Sequence, residues 1–193
     1  MPLDPLTINS VLFPSMVSSG MLGTGVAQFS YALSCGLSEY FLLGVRVQTF
    51  DSGSAGVGVG NGPPGSVVIL PVSIGSIMPG VMISAGMKGV AIPMLTLAFS
   101  ESVPLILMQS TVTTSSPLVG TGAGVGTLVP TGAYPYIIRG FKSNGMNGPS
   151  SDVLALAIGE ALDASLPTSI VKVAISGSAS PSPSTGLGIG GLF

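Results

Sequence analysis

A short phrase that recurs three times constrains this chain more than any other feature. It reads MVSSGMLG at Met16–Gly23, MISAGMKG at Met82–Gly89 and FKSNGMNG at Phe141–Gly148. After each copy an alanine follows the Gly-Met pair at one fixed distance: Ala32 after Met21, Ala98 after Met87, Ala157 after Met146. Those alanines open ALSCGL, AFSESV and AIGEAL, and a β-branched segment and an alternating glycine stretch follow. Met16–Gly60 aligns with Met82–Gly126 without a gap, with 11 identical residues over 45 positions. Separate features kept in one order predict a single supersecondary unit used three times. The units are residues 1–62, then 63–128 with a leading connector, then 129–193 with a second connector. Together they are expected to form one compact or assembly-dependent body.

Within each unit the period after the phrase is helical. Val26, Phe29, Leu33, Leu37 and Phe41 fall at steps of three and four, which places them on one face. Ile92, Leu95, Phe99, Val103 and Leu107 occupy the same offsets, as do Ser151, Leu154, Ile158, Leu162 and Leu166. A second face is small: Ala32 with Gly36, Ala98 with Ser102, Ala157 with Ala161. Small residues four apart let backbones approach, so these main helices are expected to pack on one another there. Pro93 suits a first turn, and Pro149-Ser150-Ser151-Asp152 is a good helix start. Pro104 removes a hydrogen bond inside the second helix and is expected to kink it or end it near Ser102. Before the phrase, Thr7 or Asn9 is the expected cap of a short helix carrying Ile8, Val11 and Leu12. Gly20, Gly86 and Gly145 then turn the chain from the short helix into the main one, and the following methionines fill one niche in each unit.

Val45–Phe50, Thr111–Thr114 and Ile170–Ile175 read as strands, with the turn phrases DSGSA, SSPLV and SGSASPSPST after them. The glycine stretches are GVGVG at Gly56–Gly60, GAGVG at Gly122–Gly126 and GLGIG at Gly186–Gly190. In a strand they leave one face as bare backbone, the mark of close approach. The expected fold is therefore α+β, three tandem helix–helix–β-hairpin units, each with a Gly-alternating strand. Pro63–Ser73 and Thr127–Gly140 read as Pro/Gly-rich connectors, with Pro64–Val72 apolar enough for an extra strand or arm.

Composition narrows the function. Only 6% of residues are charged, against about 25% in an average globular chain, while 46% are apolar and mean hydropathy is +0.75. A free monomer of this kind lacks the charge that keeps surfaces apart. The long uncharged stretches Ser52–Met87 and Ser102–Ile138 are cut by prolines and glycines, so membrane insertion is not expected. MPLDPL carries an acid and no basic n-region, unlike a secretory signal peptide. Arg46, Lys88, Arg139, Lys142 and Lys172 are scattered, which argues against nucleic acid as a partner.

Histidine is absent, and with it the commonest general base. Among the acids Asp4, Glu39, Asp51, Glu101, Asp152, Glu160 and Asp163, only Glu101 and Glu160 share an offset, where Cys35 stands in the first copy. Cys35 itself reads as a small hydrophobe among apolar neighbours. GTGAGVG has glycine at every second position and no G-K-[ST] after it, so it is not a phosphate loop. No catalytic, cofactor-binding or metal residue is expected; the chain is not expected to be an enzyme and no cofactor is implied.

The GTGAGVG-type strand after an A-[LIF]-[SG]-x-x-[LV] helix, with the short MPLDP start, resembles small virion structural proteins of tailed bacteriophages, of the tail, neck or baseplate type. That resemblance implies a structural subunit located in the virion, a homo-oligomer whose partners are copies of itself and other virion structural proteins. It carries over no functional residue. The alternative from another class is a glycine-rich surface or secreted ligand-binding module, for which Tyr134-Pro135-Tyr136 is the one aromatic pair that reads as exposed.

Overall fold

The computed structural model describes residues 4–54, 57–62, 67–69, 74–89, 91–116, 121–177 and 184–192. Helix α1 (Pro5–Ser18) starts at a cap formed by Asp4, whose Oδ1 accepts the Leu6 N–H at 3.0 Å. This corrects the expectation of Thr7 or Asn9. An Asp-Pro pair supplies both the capping acceptor and a residue whose missing N–H costs nothing at the first helical position. Ile8, Leu12 and Met16 are buried along one side of α1.

The recurring phrase is where α1 ends and α2 (Thr24–Gly44) begins. Gly20 has φ +89°, a conformation that L side chains rarely adopt. The Met21 N–H donates to the Met16 carbonyl at 3.0 Å and the Gly20 N–H to Val17 at 3.0 Å, the pairing of a left-handed helix C-cap. Both later phrases fold alike. Gly86 and Gly145 have φ +92° and +78°, and Met87 and Met146 donate to Met82 and Phe141 at 3.0 and 2.9 Å. Met21, Met87 and Met146 all pack against the core.

These turns join α3 (Ile74–Ser84) to α4 (Ala91–Gln109), and α5 (Tyr134–Ser143) to α6 (Pro149–Ser165). Helix α4 runs on through Pro104. Val103, Ile106 and Leu107 beside the proline are buried, so packing sustains the helix where one backbone bond is missing. Tyr134–Gly140, read as connector, instead lies in α5. The hydroxyls of Ser34, Thr96, Ser102 and Ser110 are buried and donate to carbonyls one turn back at 2.7–2.8 Å, so a charge-poor core holds them at little cost.

Each helix packs on two others in the cyclic order α1, α2, α3, α4, α5, α6 and back to α1. The small faces of α2 and α4 meet the short helices α3 and α5. A Cβ on Gly36 would lie 3.1 Å from Met78 of α3, and one on Gly140 of α5 would lie 2.6 Å from the Ala98 carbonyl of α4. The small residues serve the close approach expected of them, to a different partner.

The strands are β1 (Val45–Ser54), β2 (Val57–Gly62), β3 (Val67–Ile69), β4 (Thr111–Ser116), β5 (Thr121–Val129), β6 (Val171–Gly177) and β7 (Ser184–Leu192). All pairings are antiparallel, and they close: β1–β2–β4–β5–β6–β7 and back to β1, with β3 extending the β2 side of β1. The chain is α+β, and closure leaves the six ring strands without a free edge. Asp51–Ser54, read as a turn, is strand because β1 finds partners on both sides; Asp51 lies opposite both Gly60 and Gly186. Val67–Ile69 supplies the extra strand expected within Pro64–Val72, whose other residues lie outside the described ones, as do residues 178–183 of the last turn phrase.

Register explains the glycines. Gly62 lies opposite Val112, Gly126 opposite Val171 and Gly190 opposite Val47, and all three valines are fully buried. Directly opposed residues share a face, so Gly62, Gly126 and Gly190 lie on the side of the sheet that carries these valines. Eight strands give an interior just wide enough for side chains to fill. A ring of six is narrower.

Candidate functional site

The acids that the sequence points to are spread over the helix ring, except Asp51, which lies on β1. Asp152 pairs with Lys142 at 3.5 Å, both half-exposed, on neighbouring helices. Glu101 of α4 accepts a hydrogen bond from Ser143 of α5, and Glu160 of α6 accepts one from Ser15 of α1. The two glutamates that share an offset thus bridge two helix contacts of one kind. Asp163 receives the Ala133 N–H at 2.9 and 3.2 Å, where α5 starts. Burial pushes its carboxyl above the usual range, against the opposing effect of that N–H. Among the described residues no three of His, Cys, Asp and Glu come together as a metal site.

Cys35, at the offset of the two glutamates, is half-buried. A hydrogen bond to Cys35 and its charge raise the pKa of the Tyr31 phenol. Burial alone pushes Tyr40 up to about 12. Its hydroxyl and that of Ser165 are buried without a hydrogen-bond partner among the described residues. A cleft of about 230 Å³ between α4 and α5 is lined by Glu101, Ser102, Leu105, Tyr136, Arg139 and Gly140. Tyr134 and Tyr136 are the first turn of α5: Tyr134 stays exposed, while Tyr136 leans on the core.

What the sequence reading missed is on the outside of the main helices. Tyr31, Leu97 and Leu156 are 44%, 56% and 42% exposed. Each stands ten residues after the methionine of its phrase, the signal that could have found them. Leu42, Leu43, Met94, Leu105 and Met108 extend this apolar surface along α2 and α4. By length and composition α4 could cross a membrane, and half of it is buried against its neighbours. A surface of this kind offers contact area and no reacting groups.

No protein-family model, no curated protein and no solved structure matches the chain.

Proposed function

We propose that this chain is three tandem copies of one helix–helix–hairpin unit, folded into a pseudo-threefold double ring, and that it serves as a structural subunit of a large assembly. The tail, neck or baseplate of a tailed-phage virion is the setting that the sequence resemblance suggests, and catalysis has no part in it. The observation that carries the assembly reading is the exposure of Tyr31, Leu97 and Leu156 at one offset in each unit. An apolar residue kept outside three times, on a chain that is 6% charged, is surface meant to be covered. The tandem-unit reading is supported by core positions that correspond across all three copies: Ile8, Ile74 and Ala133; Leu12, Met78 and Ile137; Leu37, Val103 and Leu162.

The second reading, a ligand-binding module, has the cleft between α4 and α5 in its favour. Its volume of about 230 Å³ falls below the roughly 300–1,000 Å³ of small-molecule sites. Light scattering across a concentration series, with electron microscopy of the same samples, tests the assembly reading. Rings, tubes or growing oligomers are expected. A well-behaved monomer at high concentration overturns it.

A further inference from the structure

Most charges of the helix ring are engaged. Asp4 caps α1, Glu101 and Glu160 accept from serines of neighbouring helices, Asp163 receives the Ala133 N–H, and Lys142 pairs with Asp152. Two helix charges have no hydrogen-bond or ion partner among the described residues: Glu39 of α2 and Arg139 of α5, both exposed. They do not meet within one chain, because α2 and α5 stand opposite each other in the cyclic order of the helices. Each is set in apolar surface. Tyr31, Glu39 and Leu42 on α2 hold the same offsets as Leu97, Leu105 and Met108 on α4, and all six are exposed. Leu105 also lines the cleft between α4 and α5, together with Arg139 and Tyr136. Glu101 lines the same cleft, but its carboxylate accepts from Ser143 and forms no ion pair with Arg139.

We infer that the outer face of α2 in one copy docks on the α4–α5 face of a second copy, with the Glu39 carboxylate entering the cleft to pair with the Arg139 guanidinium. The inference rests on the assembly reading above and names the two surfaces that meet. Charge complementarity makes the occupant a second copy: the unpaired anion and the unpaired cation of the helices stand on two faces of the same chain, each bordered by exposed apolar side chains. Covering that apolar surface removes water from the pair and strengthens it. The apolar side chains supply contact area, and the pair sets the register. It also disfavours α2 on α2 and α4–α5 on α4–α5, which would bring like charges together. A cleft of about 230 Å³, below the range of small-molecule sites, suits one side chain better than a free ligand. The two faces lie on different sides of the helix ring, so the contact is head-to-tail, and such contacts close into rings or run on as filaments.

The test swaps the two charges in the full-length chain, under reducing conditions, and follows association by sedimentation velocity. Glu39→Arg and Arg139→Glu both change exposed side chains, so each variant should fold like the wild type, checked by circular dichroism. Alone, each places like charges across the contact and should weaken association by about tenfold or more. Mixed in equal amounts, the two variants should recover it, because each offers both of its faces an opposite charge on the other. Recovery in the mixture cannot come from a repair within one chain. If either variant alone associates like the wild type, or if the mixture stays as dissociated as its components, the Glu39–Arg139 contact is overturned, and the assembly reading stands on the association of the unmodified chain. If the unmodified chain remains monomeric at high concentration, both fall. A variant that does not fold is replaced by Glu39→Gln or Arg139→Gln, where weakened association is expected and wild-type association overturns the contact.

Discussion

The helix ring and the strand ring solve the same closure by opposite means. In the helix ring side chains do the fitting, and corresponding positions accept different ones: Met16 and Met82 give way to Phe141, which packs edge-on against Phe99 at a centroid distance of 5.9 Å. The six-stranded ring has a narrow interior, and on the proposed unit reading it fits by leaving side chains out. A helix ring can absorb a change of volume by a shift of neighbours. A hydrogen-bonded ring of strands has its diameter set by its backbone. The letters of the chain reflect this, since the glycine stretches stay alike while the helix cores vary.

The strongest way to break the helix ring is to empty it. Phe141→Ala should cost about 3–5 kcal/mol in urea unfolding, because it removes a fully buried ring and its partner Phe99 keeps the cavity open. A smaller effect separates the two rings. Gly126→Val, half-buried on β5 opposite the buried Val171, should cost about 1–3 kcal/mol by overfilling, whereas Thr113→Val, exposed on β4, should stay within about 0.5 kcal/mol. Equal effects from these two substitutions would refute the account of the alternating glycines.

The smallest effect is electrostatic and belongs to the helix ring. The Asp163 carboxyl titrates higher in the folded chain than unfolded, because burial disfavours its charge. Its favourable contribution is therefore full below the unfolded pKa and lost as pH rises through the folded value. Asp163→Asn retains an oxygen to accept the Ala133 N–H and does not titrate. The stability of the variant relative to wild type should rise with pH across that window, read from unfolding curves at several pH values. A flat difference would mean that burial does not govern this carboxyl.

Much of the fold was legible because it depends on neighbours in the chain. The turn after each short helix needs a left-handed residue, and glycine marks it at Gly20, Gly86 and Gly145. The buried faces of α2, α4 and α6 follow the three-and-four spacing closely. The Asp4 cap was equally local and was there to be read in Asp-Pro. The apolar surface was harder to read, since Tyr31, Leu97 and Leu156 differ from core residues only in the direction they face.

By itself, then, the sequence determined most of the elements and their order, which depend on local conformation and side-chain period. Only the tertiary structure decided that both sets of elements close into rings, and that the small faces of α2 and α4 meet short helices. It also carried β1 through Asp51–Ser54 and α4 through Pro104. In each case contacts distant in sequence outweigh a local preference worth about 3 kcal/mol or less, and no window of the chain contains both partners.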